Sequence, residues 1–359
     1  MEQQQKLGIG RKLALGATLG VGGLALTACD VDAPGGLLGD ILGFGWPKGV
    51  TPEAHSLYNF WSWTWVVAWI IGFTMWGLFL YAIFAWNAKK RPKDHIPRQT
   101  QYNIPLELVL TIFPVIIVMG LFFFTVQVQD KVTALDKDPE VTVDVTAYQW
   151  NWKFGYQQVG ANLSPTGAEY DGIDKERQAI AESSKYNEDG DNPINGRAKD
   201  DVSYLKFNEI EVLGTTEEIP VLVLPTDTPI QFDLASADVS HAFWVPEFLF
   251  KRDVYAHPEQ NQQENRFQIE RIEEEGAYVG RCAEMCGTYH AMMNFEIRAV
   301  SPESFKEYLE FRYENPEATN AQALEHIGEK PYAETTTPFN SSRTDTRDGD
   351  NYDNPGEAV

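Results

Sequence analysis

Cys282-Ala-Glu-Met-Cys286-Gly-Thr-Tyr-His290-Ala-Met-Met293 places two thiols, an imidazole and a thioether within one short loop. A second imidazole, His241, lies upstream in Asp238-Val-Ser-His241-Ala-Phe-Trp-Val-Pro-Glu-Phe. Thiolate, imidazole and thioether together are the ligand set of a copper site used for electron transfer. A single-copper site of that kind needs one Cys. Two Cys on one loop, with two His and a Met, would let both sulfurs bridge a pair of copper ions. Two plainer readings stay open at this point. A Cys-x-x-x-Cys pair in an oxidising compartment can form a disulfide, which leaves both His and the Met idle. Cys2His2 is also a structural zinc set, which leaves Met293 without a role and does not follow the usual finger spacing.

The loop sits among short strands. Val141-Thr-Val-Asp-Val-Thr-Ala-Tyr148 alternates with period two, and Ile219 to Leu224, Ile230 to Leu234, His241 to Val245, Arg266 to Ile269, Ala277 to Arg281 and Asn294 to Val300 read as further strands. Gly- and Pro-punctuated strands of this kind predict a Greek-key sandwich or barrel. Gly155 to about Asn208 is polar and reads as an insertion, with a short helix near Lys175 to Lys185. A helix is expected from about Pro302 to Tyr313, and the stretch from 314 to 359 reads as a polar, acidic tail with a disordered end.

The first third of the chain has a different character. From about Phe60 to Trp86 there is no charged residue, and Trp61, Trp63, Trp65 and Trp86 stand at the two ends. A helix of that length covers about 40 Å, enough for a bilayer core of about 30 Å, and Trp suits both interfaces. A second span is expected from about Ile104 to Val128, with Pro114 inside it. The basic loop between them, Lys89-Lys-Arg-Pro-Lys93 with Arg98, belongs on the cytoplasmic side. Both ends of this hairpin, and everything after Gln129, then face outward. The chain is therefore expected to be multi-pass in the lipid bilayer of the plasma membrane. Glu107 lies inside the second span near its cytoplasmic end, where a carboxylate marks an ion route or a partner, or else simply reaches water.

Residues 1–28 have the layout of a signal peptide: Lys6, Arg11 and Lys12, then an apolar run, then Leu26-Thr-Ala-Cys29. The small residues before Cys29 resemble a bacterial lipobox, which would make Cys29 a lipidated residue. Of the three cysteines it is the one outside the loop. The alternative is an ordinary Cys beside a normal cleavage site. A net charge of −23 argues against nucleic acid as a partner and suits a positively charged protein face, although solubility alone also explains it.

His241, Cys282, Glu284, Cys286, His290 and Met293 resemble the CuA signature of cytochrome c oxidase subunit II. Tyr148-Gln-Trp150-Asn-Trp152 is similar to that family's aromatic stretch, and Val245-Pro-Glu-Phe-Leu-Phe-Lys-Arg-Asp253 to its segment after the first His. The likeness covers roughly residues 46 to 330. Leu26-Thr-Ala-Cys29, Phe44-Gly-Trp-Pro47 and Gln101-Tyr-Asn-Ile-Pro-Leu-Glu107 resemble the actinobacterial, Corynebacterium-like branch.

The resemblance implies a two-helix transmembrane hairpin plus an all-β cupredoxin (Greek-key) domain over about 129–313. It implies an oxidoreductase subunit with no complete active site of its own. Electrons from cytochrome c would enter at Trp150, with Trp152 packed beneath. They would pass through dinuclear copper to haem a of subunit I, where oxygen is reduced and protons are pumped. Glu284 would lend its carbonyl to copper and its side chain to a Mg or Mn ion shared with subunit I. Glu107 would stand at the mouth of the K proton pathway. Implied partners are subunits I and III and a membrane-bound dihaem cytochrome c of a bcc complex, in a supercomplex. Two rivals are a copper-free quinol oxidase subunit, disfavoured by the intact ligand set, and a tethered copper-delivery protein, which would have no use for Glu107 or the Trp150 stretch.

Overall fold

A computed structural model describes residues 35–338 apart from 88, 90, 93, 95, 97–98, 136–137, 180–205, 257 and 259–261. The expected signal peptide, Cys29, part of the basic loop, most of the insertion and the end of the tail lie outside the described residues. The chain divides into two compact units: a helical unit, Met1–Pro47 with His55–Val132, and a β unit, Lys48–Ala54 with Thr133–Val359.

The helical unit contains α1 (Gly36–Gly43), most of α2 (Pro52–Ala85) and α3 (Ile104–Thr133). Both long helices are apolar enough to cross a membrane and leave their side chains outward. Phe73, Trp76, Phe79 and Phe84 on α2, and Leu110, Ile116, Met119 and Phe122 on α3, are exposed. Their few hydroxyls turn inward: Thr64, Thr74, Thr111 and Thr125 each donate to the carbonyl four residues earlier at 2.7–2.8 Å. Each of these four hydroxyls is thereby paired within its own helix, as an apolar surround requires. α2 begins earlier than the charge-free run suggests. Thr51 Oγ1 accepts from the Ala54 amide at 3.1 Å and Pro52 occupies the first helical position, so a regular cap sets the start. The segment before it contains α1. Its Gly39 and Gly43 carbonyls accept from Tyr58 Oη and Trp61 Nε1.

The β unit is two sheets face to face. One has the order β3-β2-β1-β6-β9, with β4 also on β2. Its strands are β1 (Val141–Tyr148), β2 (Asn151–Val159), β3 (Tyr170–Asp171), β4 (Glu211–Leu213), β6 (Ile230–Ser236) and β9 (Arg266–Ile269). The other has the order β5-β11-β10-β7-β8, from β5 (Val221–Pro225), β7 (His241–Val245), β8 (Phe250–Val254), β10 (Gly276–Cys282) and β11 (Asn294–Val300). β1 pairs parallel with β6, and β11 parallel with β5; the other pairings are antiparallel. This is the Greek-key sandwich expected. Val141, Val143, Val145 and Ala147 of β1 point into the core. They meet an aromatic cluster in which Phe243 stacks on Phe295 at 4.8 Å and Trp152 meets Phe295 at 5.2 Å. Gly280 leaves room for that cluster: a Cβ there would lie 2.0 Å from the Phe295 ring.

Two boundaries are corrected. The polar insertion does not begin at Gly155, because β2 runs on to Val159 and pairs along its length with β1. Gly155 marks a close approach, not a turn: a Cβ there would lie 2.0 Å from Asn208 Oδ1. Within the insertion, residues 175–179 are helical. The acidic tail does not begin at 314. After α4 (Pro302–Glu314), α5 (Asn320–His326) follows with a capping box between Thr319 and Gln322, and Leu324 is fully buried. Beyond it the chain is tied to β11. Arg298 donates to Glu296, to Glu329 and to the carbonyls of Lys330 and Tyr332. Glu296 accepts from the amides of Glu334 and Thr335.

Candidate metal centre

The sandwich brings the expected ligands together at one end. His241 opens β7, Cys282 closes β10, and Met293 immediately precedes β11. The loop between the last two contains Cys286 and the short 3-10 turn His290–Met292. β7 and β10 are hydrogen-bonded neighbours with Cys282 opposite Phe243, so His241 and the loop are held at the same edge. The two sulfurs of Cys282 and Cys286 are 3.8 Å apart. Both are buried and free, and the gap is far from the S–S bond of about 2.05 Å that a disulfide requires.

Each sulfur has its own imidazole. Cys282 Sγ lies 3.8 Å from His241 Nδ1, and Cys286 Sγ lies 3.6 Å from His290 Nδ1. Met293 Sδ is 3.3 Å from Cys286 Sγ, and the Glu284 carbonyl is 3.2 Å from Cys282 Sγ. His241, Cys282 and Cys286 offer three atoms within 4.8 Å of one another. Atoms coordinated at about 2.0–2.3 Å to one ion stand roughly 3.3–3.9 Å apart. The residues therefore fit metal. The soft sulfurs and imidazoles favour copper over a hard cation. A mononuclear site would leave part of this set unused.

Protonation is divided between the thiols. The hydrogen bond from Cys286 pulls the Cys282 thiol down to about 3, against the effect of burial. The same contact, with burial, pushes Cys286 up. One thiolate is thus ready as a metal ligand. His241 is fully buried, which disfavours its charged form, but hydrogen bonds to Asp238 and Cys282 outweigh this and raise its pKa.

Three neighbours were not assigned roles from sequence. Asp238 Oδ1 lies 2.8 Å from His241 Nε2 and its side chain is 6% exposed. A carboxylate on the far nitrogen fixes the ring and leaves Nδ1 facing the Cys282 sulfur, where it could take a metal. The available signal was a carboxylate three residues before a His at a strand entry. Gln149 Nε2 donates to the Cys286 carbonyl at 2.7 Å. Tyr289 packs edge-on against Trp150, with ring centres 4.9 Å apart.

Trp150 is half-buried, and its indole N–H donates to the same Cys286 carbonyl at 3.2 Å. Trp152 is fully buried and donates to the Met293 carbonyl at 3.0 Å. The Glu284 side chain is exposed. Glu107 belongs to the helical unit, in the first turn of α3, where its carboxylate accepts from the Asn103 amide at 2.8 Å. Cys29 lies outside the described residues.

Comparison with known proteins follows from this geometry. The family model for the cytochrome c oxidase subunit II periplasmic domain matches residues 199–300, and that for the subunit II transmembrane domain matches residues 40–128. Cytochrome c oxidase subunit 2 of Corynebacterium diphtheriae is 70% identical, with 100% of both chains covered. That of Corynebacterium glutamicum is 69% identical over 98% of this chain and 99% of the relative. That of Mycobacterium tuberculosis is 48% identical over 93% of this chain and 90% of the relative.

Proposed function

The chain belongs to the cytochrome c oxidase subunit II family, and we propose that His241, Cys282, Cys286, His290, Met293 and the Glu284 carbonyl are its CuA ligands. It is a membrane-anchored subunit of a haem-copper oxidoreductase with a periplasmic β domain, and it works with subunit I. The observation that carries the ligand assignment is the convergence of both thiols on one another at 3.8 Å, each with its own imidazole. Copper bound there would supply one-electron transfer between a donor outside and haem a of subunit I.

The protein's own residues do the rest. The strands hold the ligands before metal arrives, so little needs to move when the charge changes. Asp238 holds the His241 ring. Met293 would supply a weak thioether ligand, whose strength tunes the potential. Trp150 is the electron entry, and its hydrogen bond to the Cys286 carbonyl joins the surface ring to a ligand. Acidic surface steers a cationic cytochrome c, here the membrane-bound dihaem cytochrome of a bcc complex in a supercomplex.

Glu284 offers its exposed side chain to a Mg or Mn ion shared with subunit I, and subunit III completes the core. Glu107 is the K-pathway entry at the cytoplasmic end of the second span. Its hydrogen bond to Asn103 also caps α3. Cys29 is lipidated after removal of residues 1–28, in the plasma membrane, with both termini on the outer side.

Copper X-ray absorption with metal analysis on the purified oxidase tests the centre. The expected result is two coppers assigned to this chain, with sulfur and nitrogen neighbours. One copper, or zinc in its place, would contradict the assignment.

A further inference from the structure

The Cys286 carbonyl receives two donors from adjacent residues: Gln149 Nε2 at 2.7 Å and Trp150 Nε1 at 3.2 Å. Gln149 is exposed and makes a second link. Its backbone amide donates to Asp238 Oδ2 at 2.6 Å, while the other oxygen of that carboxylate holds His241 Nε2 at 2.8 Å. One surface residue therefore bridges the two halves of the ligand set. One path runs through Asp238 to His241, on β7. The other runs through the carbonyl to Cys286, on the loop. Gly287 leaves space for this arrangement: its φ is +121°, and a Cβ there would lie 3.2 Å from both Gln149 Nε2 and Trp150 Nε1. Any side chain at 287 would press on both donors.

We propose that Gln149 is a positioning residue for the copper centre, acting through the Cys286 carbonyl and the Asp238 carboxylate. This rests on the ligand assignment above. Its amide places positive hydrogens against the peptide of Cys286, one of the proposed ligands. Donors there withdraw electron density from the ligand and favour the reduced centre. Its main-chain bond to Asp238 survives any side-chain replacement, so a substitution isolates the bond to Cys286. Being exposed, the side chain is replaceable without loss of core packing.

The test uses the complete oxidase, purified through a tag on another subunit, with Gln149→Leu and Gln149→Glu. The potential of the copper centre and its copper hyperfine pattern are measured with no donor present. Steady-state kcat and KM for the donor follow. The expected result is an altered hyperfine pattern and a lower potential in both variants. In Gln149→Leu the reduction equilibrium should fall about threefold, or about 28 mV at 59 mV per tenfold for one electron. Gln149→Glu should fall further, because a carboxylate would face the carbonyl. A raised KM with unchanged potential and hyperfine pattern would overturn the proposal and make Gln149 a docking contact only. If the unaltered oxidase showed no dinuclear signal, the ligand assignment itself would fall, a failure that the wild-type control makes distinct.

Discussion

The strand Asn294–Val300 borders two buried polar sites of different kinds. Just before its start is Met293, the last member of the sulfur-and-imidazole set. Further along are Glu296 and Arg298, 0% and 2% exposed, which fasten the chain beyond α5. Both sites bury polar atoms and satisfy most of them through neighbours. They differ in what the burial achieves. At the metal end, side chains converge on a place that an ion would occupy. At the other end, an ion pair and its carbonyls organise chain. Removing one partner there leaves a buried charge without its main counter-ion.

The difference also decides what is readable. The metal set is legible because its chemistry forces rare residue types into a short loop, with one His upstream. The staple uses Glu and Arg, which are common everywhere, and its partners Glu329, Lys330, Tyr332 and Thr335 belong to a stretch that composition alone reads as acidic tail. Strands such as Val141–Tyr148 were legible from period two. β2 is not legible as a strand, because the polar stretch from Gly155 onward reads as an insertion, whereas Gly155 serves a close contact with Asn208. Asp238 and Gln149 were illegible as a pair, because their contact depends on β1 and β6 lying side by side.

The sharpest contrast should come from Cys286→Ser. Electron transfer from the donor should fall at least 1,000-fold and the dinuclear signal vanish, while the melting temperature of the metal-free protein changes little. Donor turnover and calorimetry check both halves. A variant that kept both coppers would break the comparison from the metal side.

Arg298→Met should do the reverse. It leaves the Glu296 carboxylate buried without its main cation and should cost about 3–5 kcal/mol, read as a lower denaturation midpoint. The copper spectrum of the surviving folded protein should be unchanged. A lost copper signal in well-folded variant would mean that the two sites are one cooperative structure.

Asp238→Asn lies between them. It keeps the fold but weakens the hold on the His241 ring, so copper affinity should drop about 10–100-fold. Competition with a chelator measures it. An unchanged affinity would remove Asp238 from the account.

The smallest effect concerns a half-buried carboxylate outside both sites. Burial raises the pKa of Asp233, with Gln231 opposing and Asp144 adding to the rise. The unfolded chain ionises this group more readily. Its cost to stability is therefore full above the folded pKa, declines as pH falls from there toward the unfolded value, and is gone below it. Asp233→Asn should raise the melting temperature slightly at pH 7 and lose that advantage toward acid. An advantage that grew in acid would reverse the sign argued here.

Electron paramagnetic resonance of the oxidised, purified oxidase addresses the central claim most directly. The account predicts a multiline signal from one unpaired electron shared equally by two coppers, lost in both Cys282→Ser and Cys286→Ser. A four-line signal from one copper, or a dinuclear signal that survives either substitution, would contradict it.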